Sequence, residues 1–208
     1  MAKDPKESKG STTRLEPIPV GELDDEARAV LRDFLKGGAD GFLSGAVRMP
    51  NVFGLLMHHP KLAGPWLSYN NVLLSKPRIE PRLRELMILR VAWRTRSRYE
   101  WLQHVRMAKQ LGLTAEHVNT IAGLSSGTPW TPLEADLLDA TDQLLDHHVI
   151  DDATWGRLAE HLDRRQLMEV LFIVGSYACL AMVFNSAGLE IDPELHEIDA
   201  PVPEPKHR

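Results

Sequence analysis

The chain has 208 residues, 43% hydrophobic and 25% charged, enough for one domain with a substantial buried core. A net charge of −5 and a pI near 6.0 give no electrostatic reason to expect a nucleic-acid partner. One cysteine, Cys179, excludes an internal disulfide, and the polar first residues lack the apolar core of a secretory signal, so a cytoplasmic setting is expected.

In chain order, residues 1–14 carry too little apolar surface to pack and are expected as a disordered tail. A short extended segment over 15–20 precedes a first amphipathic helix over 23–35, marked by Ala27, Val30, Leu31 and Phe34 and ended by Gly37 and Gly38. Pro50, Pro60 and Pro65 cut residues 41–75 into pieces. Helices are expected over 51–58 and 65–74, with Pro65 in a first turn, where proline is tolerated.

Residues 80–112, EPRLRELMILRVAWRTRSRYEWLQHVRMAKQLG, read as two helices joined by an arginine-rich turn. The first, over 80–94, is apolar on nearly all sides, yet Glu85 shares a face with Leu89 and Ala92. A carboxylate on an apolar face is the informative exception. Ser97 and Glu100 have the spacing of a capping box that opens the second helix. That helix puts Trp101, His104, Val105, Ala108 and Leu111 on one stripe, so His104 points where the apolar residues point.

Thr114 caps a short helix through about residue 124, and the SSGTPW stretch that follows reads as a loop. Thr131, Pro132 and Glu134 open a further helix, and Asp151 or Asp152 the next. The last helix, over 164–187, is apolar all round, but its uncharged run over 170–184 is shorter than the ~20 residues a membrane span needs. It is read as a core or subunit-interface helix, with no membrane partner. Residues 191–208 are expected as a loose tail, leaving 15–190 as one all-α domain of seven to nine helices built from helical hairpins.

The order RELMILRVAWRTRSRYEWLQHVRMAKQLGLT resembles the carboxymuconolactone decarboxylase family, whose all-α fold is shared with the alkylhydroperoxidase D-like thiol peroxidases. The resemblance is strongest over residues 80–124. In the peroxidase branch two cysteines three apart open the second helix, and a glutamate on the preceding helix joins a histidine in a proton relay. Laid onto this chain, the cysteine positions are Ser97 and Glu100, and the relay positions are Glu85 and His104. Both redox atoms are missing, which disfavours an antioxidant peroxidase.

The decarboxylase branch lacks the cysteine pair and uses no metal or organic cofactor. Its namesake is a carboxy-lyase of aromatic catabolism that releases carbon dioxide from an unsaturated lactone acid. The resemblance therefore implies a cofactor-independent enzyme acting by acid/base chemistry on a small carboxylated or lactone substrate. His104 is the acid/base candidate, since imidazole is the side chain whose ordinary pKa lies nearest neutral pH. Glu85 or Glu100 would orient it. Tyr99 would donate a hydrogen bond, Trp101 would line the pocket, and Arg90, Arg96 or Arg98 would receive a carboxylate. Family members form homo-oligomers, so self-association is expected too. The rival reading is a non-catalytic helical oligomer that binds a small acid or a protein.

No metal is expected. His58 and His59, like His147 and His148, are adjacent pairs whose members point different ways on a helix, and no H-E-x-x-H or C-x-x-C occurs.

Overall fold

The computed structural model describes residues 13–125, 127 and 130–204. Ten α-helices and two short 3-10 turns, with no strand, make up the described residues: α1 (Asp25–Leu35), α2 (Ala39–Leu43), α3 (Asn51–Leu56), α4 (Pro60–Ser75), α5 (Pro81–Thr95), α6 (Arg98–Gln110), α7 (Ala115–Ile121), α8 (Pro132–His147), α9 (Asp152–His161) and α10 (Arg164–Ala187). The all-α expectation therefore holds. The helix missed in the sequence is α2, whose five residues ADGFL include a glycine and are too few to show a period.

α5 is the centre. It packs against α6, α8 and α10, and Met87, Ile88, Leu89, Val91 and Ala92 are wholly shielded from solvent. That explains why it lacks a polar face: neighbours cover it on several sides. A second, smaller core joins Leu23, Ala27 and Leu31 to Met57, Ala63 and Leu67, seating α1 on α4.

Three expectations change. First, α4 starts at Pro60, capped by the His59 ring, so Pro65 lies inside the helix rather than in its first turn. The carbonyl that loses its helical N–H partner at Pro65 belongs to Lys61, an exposed residue.

Second, the chain after α10 is not loose through residue 204. Asp192 is completely buried and accepts hydrogen bonds from Tyr99 Oη at 2.5 Å, Asn51 N at 2.9 Å and Arg48 Nη1 at 2.8 Å. Further on, Pro201 O accepts from Trp101 Nε1 at 2.5 Å and Asp199 O from Lys109 Nζ at 3.0 Å. Residues 189–204 thus lie along α6 as a strap. An acidic, proline-rich composition hid one buried carboxylate and several docked carbonyls.

Third, the capping box expected at Ser97 and Glu100 does not form. Arg96 ends α5 in a left-handed conformation (φ 58°), and the Ser97 N–H reaches back to Ala92 O at 2.9 Å while Arg96 N–H bonds Trp93 O. This pair of bonds is the Schellman closure of a helix end. It takes the one backbone N–H that Glu100 would need. At α8 the N-cap N–H has no such rival, and Thr131 and Glu134 close the box, with Thr131 N on Glu134 Oε2 at 2.9 Å.

The tail expected over residues 1–14 lies mostly outside the described residues. Within them, Arg14 and Leu15 donate their backbone N–H groups to Ala187 O at 2.7 and 3.2 Å. The loop expected over 125–130 is described only in part.

Candidate functional site

The short turn between α5 and α6 makes them an antiparallel pair, and it brings Glu85 and His104 into contact nineteen positions apart. His104 Nδ1 lies 2.6 Å from Glu85 Oε2. The other carboxylate oxygen, Oε1, accepts two bonds from Arg84, from Nε at 3.0 Å and Nη2 at 2.7 Å. Arg84 also donates Nη1 to Leu74 O at the end of α4, 2.7 Å away. Neighbouring residues on a helix normally diverge. Here the length of the arginine stem lets its planar fork turn back onto the adjacent carboxylate.

Burial opposes ionisation of Glu85, which is fully shielded, but the charges and hydrogen bonds of His104 and Arg84 outweigh it and hold the carboxyl below its ordinary range. An ionised Glu85 can only accept. Its contact with Nδ1 therefore assigns the proton to that nitrogen and leaves Nε2 of His104 outside the pair. The Tyr177 ring of α10 meets the imidazole edge-on, 4.9 Å between centroids and at 89°, fixing its plane. Burial, then the charge of Glu85, push the Tyr177 phenol well up, so it stays neutral.

Glu100 is on the same side of α6, one turn before His104. Both its carboxyl oxygens and Ser97 Oγ are buried and have no hydrogen-bond partner among the described residues. Burial raises the Glu100 pKa well above the ordinary value, outweighing the opposite effect of the nearby Ser97 hydroxyl. Its place in the first turn of α6 would favour the anion through the helix dipole, by about 0.3–1 kcal/mol. Stripping water from an unpaired carboxylate costs several kcal/mol, so the neutral acid wins. One site thus holds two carboxyls pushed in opposite directions.

That contrast has a measurable consequence. An acid whose folded pKa is raised keeps its proton in the native state while the unfolded chain releases it above about 4.5. Stability therefore falls as pH rises through that window, by up to about 1.4 kcal/mol per pH unit. Glu100→Gln carries no such charge. Its urea midpoint is expected to exceed that of the wild type at pH 7.5 and to converge with it below pH 4.5; a wild type that is the more stable at pH 7.5 would show that Glu100 is paired.

The other candidates sit elsewhere. Tyr99 is committed to Asp192, and Trp101 is fully buried against Trp93, at 4.9 Å between ring centroids, and the strap carbonyl of Pro201. Arg90 makes a two-pronged ion pair with Asp142, at 2.8 and 2.6 Å, and donates to Ile121 O. Arg96 and Arg98 are exposed in and beside the turn. The structure therefore brings Glu85 against His104, with Glu100 one turn before His104 on α6, while Arg90 is engaged elsewhere and Arg96 and Arg98 are exposed. Two contributors escaped the sequence reading. Arg84 looked like one more charge on α5, and Tyr177 was counted into an apolar run, although a Ser-Tyr pair inside fifteen uncharged residues was an available signal. Among the described residues no group of three or more His, Cys, Asp or Glu is arranged to hold a metal ion.

Residues 60–143 match the Carboxymuconolactone decarboxylase family. The comparison with curated proteins found no match. Among solved structures, a peroxidase-related protein from Ralstonia eutropha JMP134 with the alkylhydroperoxidase AhpD core superposes with a TM-score of 0.73 at 18% identity, covering 92% of this chain and 98% of that one. A peroxidase-related protein from Silicibacter sp. TM1040 gives 0.70 at 16%, covering 95% and 98%. The debrominase Bmp8, as a cysteine-to-alanine variant in complex with 2,3,4-tribromopyrrole, gives 0.67 at 13%, covering 88% and 94%. At these identities the likeness is one of fold. The family match spans α4 to most of α8 and includes Glu85, Glu100 and His104; over that segment the chain matches the carboxymuconolactone decarboxylase family, and its helical fold is that of the alkylhydroperoxidase D-like structures.

Proposed function

We propose that the protein is a cofactor-independent enzyme of carboxymuconolactone decarboxylase type, using His104 as acid and base on a small carboxylated or lactone substrate. The observation that carries this reading is the buried contact between His104 Nδ1 and an ionised Glu85, itself held by Arg84. The pair orients the ring and fixes its tautomer, which leaves Nε2 to exchange a proton with substrate. In a decarboxylation the carbon–carboxylate bond breaks, carbon dioxide departs, and the electron pair is delocalised into the unsaturated ring. Nε2–H of the imidazolium then protonates carbon, and solvent returns a proton to the imidazole. Thiol-based peroxide reduction is disfavoured, because Ser97 and Glu100 supply no sulfur and Cys179 lies on the exposed face of α10. The debrominase neighbour was crystallised with a small planar heterocycle, and a ring of that size is the kind of substrate we infer.

The direct test is carbon dioxide release from carboxymuconolactone by the wild type and His104→Asn. Equal rates would remove His104 from the chemistry, and binding without turnover would favour the non-catalytic rival.

Self-association belongs to the same proposal. Met168, Phe172, Cys179, Met182 and Val183 form an exposed apolar stripe on α10, with Tyr69 edge-on to Phe172. Half of the most apolar window of this helix is buried within the chain, and a second copy is the simplest cover for the rest. Light scattering after size exclusion is expected to give a multiple of 23.4 kDa, and Met182→Lys to shift it toward the monomer; a wild-type monomer at all concentrations would refute self-association. A cytoplasmic setting remains part of this proposal.

A further inference from the structure

Glu100 has no task in the acid/base pair, yet it is the most unusual group in the molecule. Glu100 Oε1 and Oε2 and Ser97 Oγ, three buried polar atoms within one helical turn, have no protein partner among the described residues. A buried polar group left unpaired is costly, and native structures retain such groups where something else engages them. The Schellman closure shows why the helix itself cannot: Ser97 N–H is already bonded to Ala92 O. Glu100 stands one turn before His104 on α6, and the His104 imidazole contacts Glu85 and meets the Tyr177 ring edge-on.

We propose that Glu100 works as a neutral carboxylic acid which, with the Ser97 hydroxyl, binds the carbonyl oxygen of an enolisable substrate and donates a hydrogen bond to the enolate formed there. This rests on the acid/base reading of His104 and adds the groups that meet the substrate carbonyl, one conjugated with the carbon that loses carbon dioxide or a proton. As the carbon–carboxylate bond breaks, its electron pair moves through the conjugated bonds onto the carbonyl oxygen, and carbon dioxide leaves. The enolate oxygen is held by the Glu100 O–H, whose proton stays with Glu100. When the carbonyl re-forms, the same electron pair takes the proton of His104 Nε2 at carbon, and solvent re-protonates His104. Glu100 and Ser97 end the cycle unchanged. A neutral acid suits this task because it meets a developing negative charge without adding one of its own. An ionised Glu100 would repel both the substrate carboxylate and the enolate.

The test uses the full chain with 4-nitrophenol, whose phenolate imitates an enolate oxygen and reports its ionisation by absorbance. The wild type is expected to bind it, Glu100→Ala to bind about 10- to 100-fold more weakly, and Glu100→Gln, which keeps a weaker donor, to fall between them. His104→Asn should bind almost as the wild type does. Infrared spectra at pH 7.5 should show a protonated carboxyl that persists in Glu85→Gln and disappears in Glu100→Gln. Failure of the wild type to bind the phenol, equal binding by Glu100→Ala, or absence of the protonated carboxyl would each overturn the proposal. If these signals hold while His104→Asn turns substrate over at the wild-type rate, the neutral-acid subsite stands and the assigned role of His104 falls.

Discussion

His104→Asn is expected to lower turnover by about 10²- to 10⁴-fold, the usual contribution of a positioned general acid or base, while leaving the fold nearly intact. Asparagine is the informative replacement because its amide nitrogen occupies roughly the place of Nδ1 and can still donate to Glu85, whereas nothing takes the place of Nε2. The buried carboxylate keeps a partner, so the thermal midpoint should shift little. Turnover and stability are thereby separated in one variant. If His104 were only a satisfied core histidine, the opposite pattern would appear: a lower midpoint from imperfect packing against Tyr177, with kcat unchanged. KM gives a further check. Loss of an interaction made only in the transition state lowers kcat and kcat/KM together, whereas loss of a binding contact raises KM alone.

The sequence disclosed the helices more fully than the site, and the residues show why. Helical periodicity and caps are local, so α1, α5, α6, α8 and α10 could be placed within a few residues. The Glu85–His104 contact was visible only because a carboxylate and an imidazole each interrupted an apolar stripe on adjacent helices. Everything that depended on competition between distant groups stayed hidden. Ser97 and Glu100 fit a capping box as well as Thr131 and Glu134 do. The difference is the preceding helix end, which takes one N–H at α6 and not at α8. Asp192 sits in a segment whose composition reads as unstructured, and its burial depends on Arg48, Asn51 and Tyr99, each at least 93 positions away. Arg84 and Tyr177 became part of the site only through packing of α4, α5 and α10. The same competition that defeats the capping-box pattern leaves Glu100 unpaired, so the absent box and the unpaired carboxyl have one cause.

Glu85→Gln should cost about 3–5 kcal/mol of folding stability, the typical penalty for removing one member of a buried ion pair, because it leaves Arg84, only 5% exposed, without a counter-charge. Glutamine is nearly isosteric, so the loss cannot be assigned to a cavity. Its amide nitrogen faces donors in either orientation: rotated one way it meets His104 Nδ1–H, rotated the other it meets the Arg84 guanidinium. The pH dependence has a definite sign. Glu85 has a folded pKa below its unfolded value near 4.5, so its contribution is complete above that value and is lost as pH falls through the folded pKa. Wild type and Glu85→Gln should therefore differ most at neutral pH and approach one another in acid, the reverse of wild type with Glu100→Gln in its sign. Replacing the pair together, as Arg84→Met with Glu85→Leu, should recover part of the stability, since no isolated charge remains, though His104 Nδ1–H then loses its acceptor. Activity should not return with it. A double variant that regained stability and turnover alike would show that Glu85 and Arg84 serve the fold alone, and that His104 does its chemistry without them.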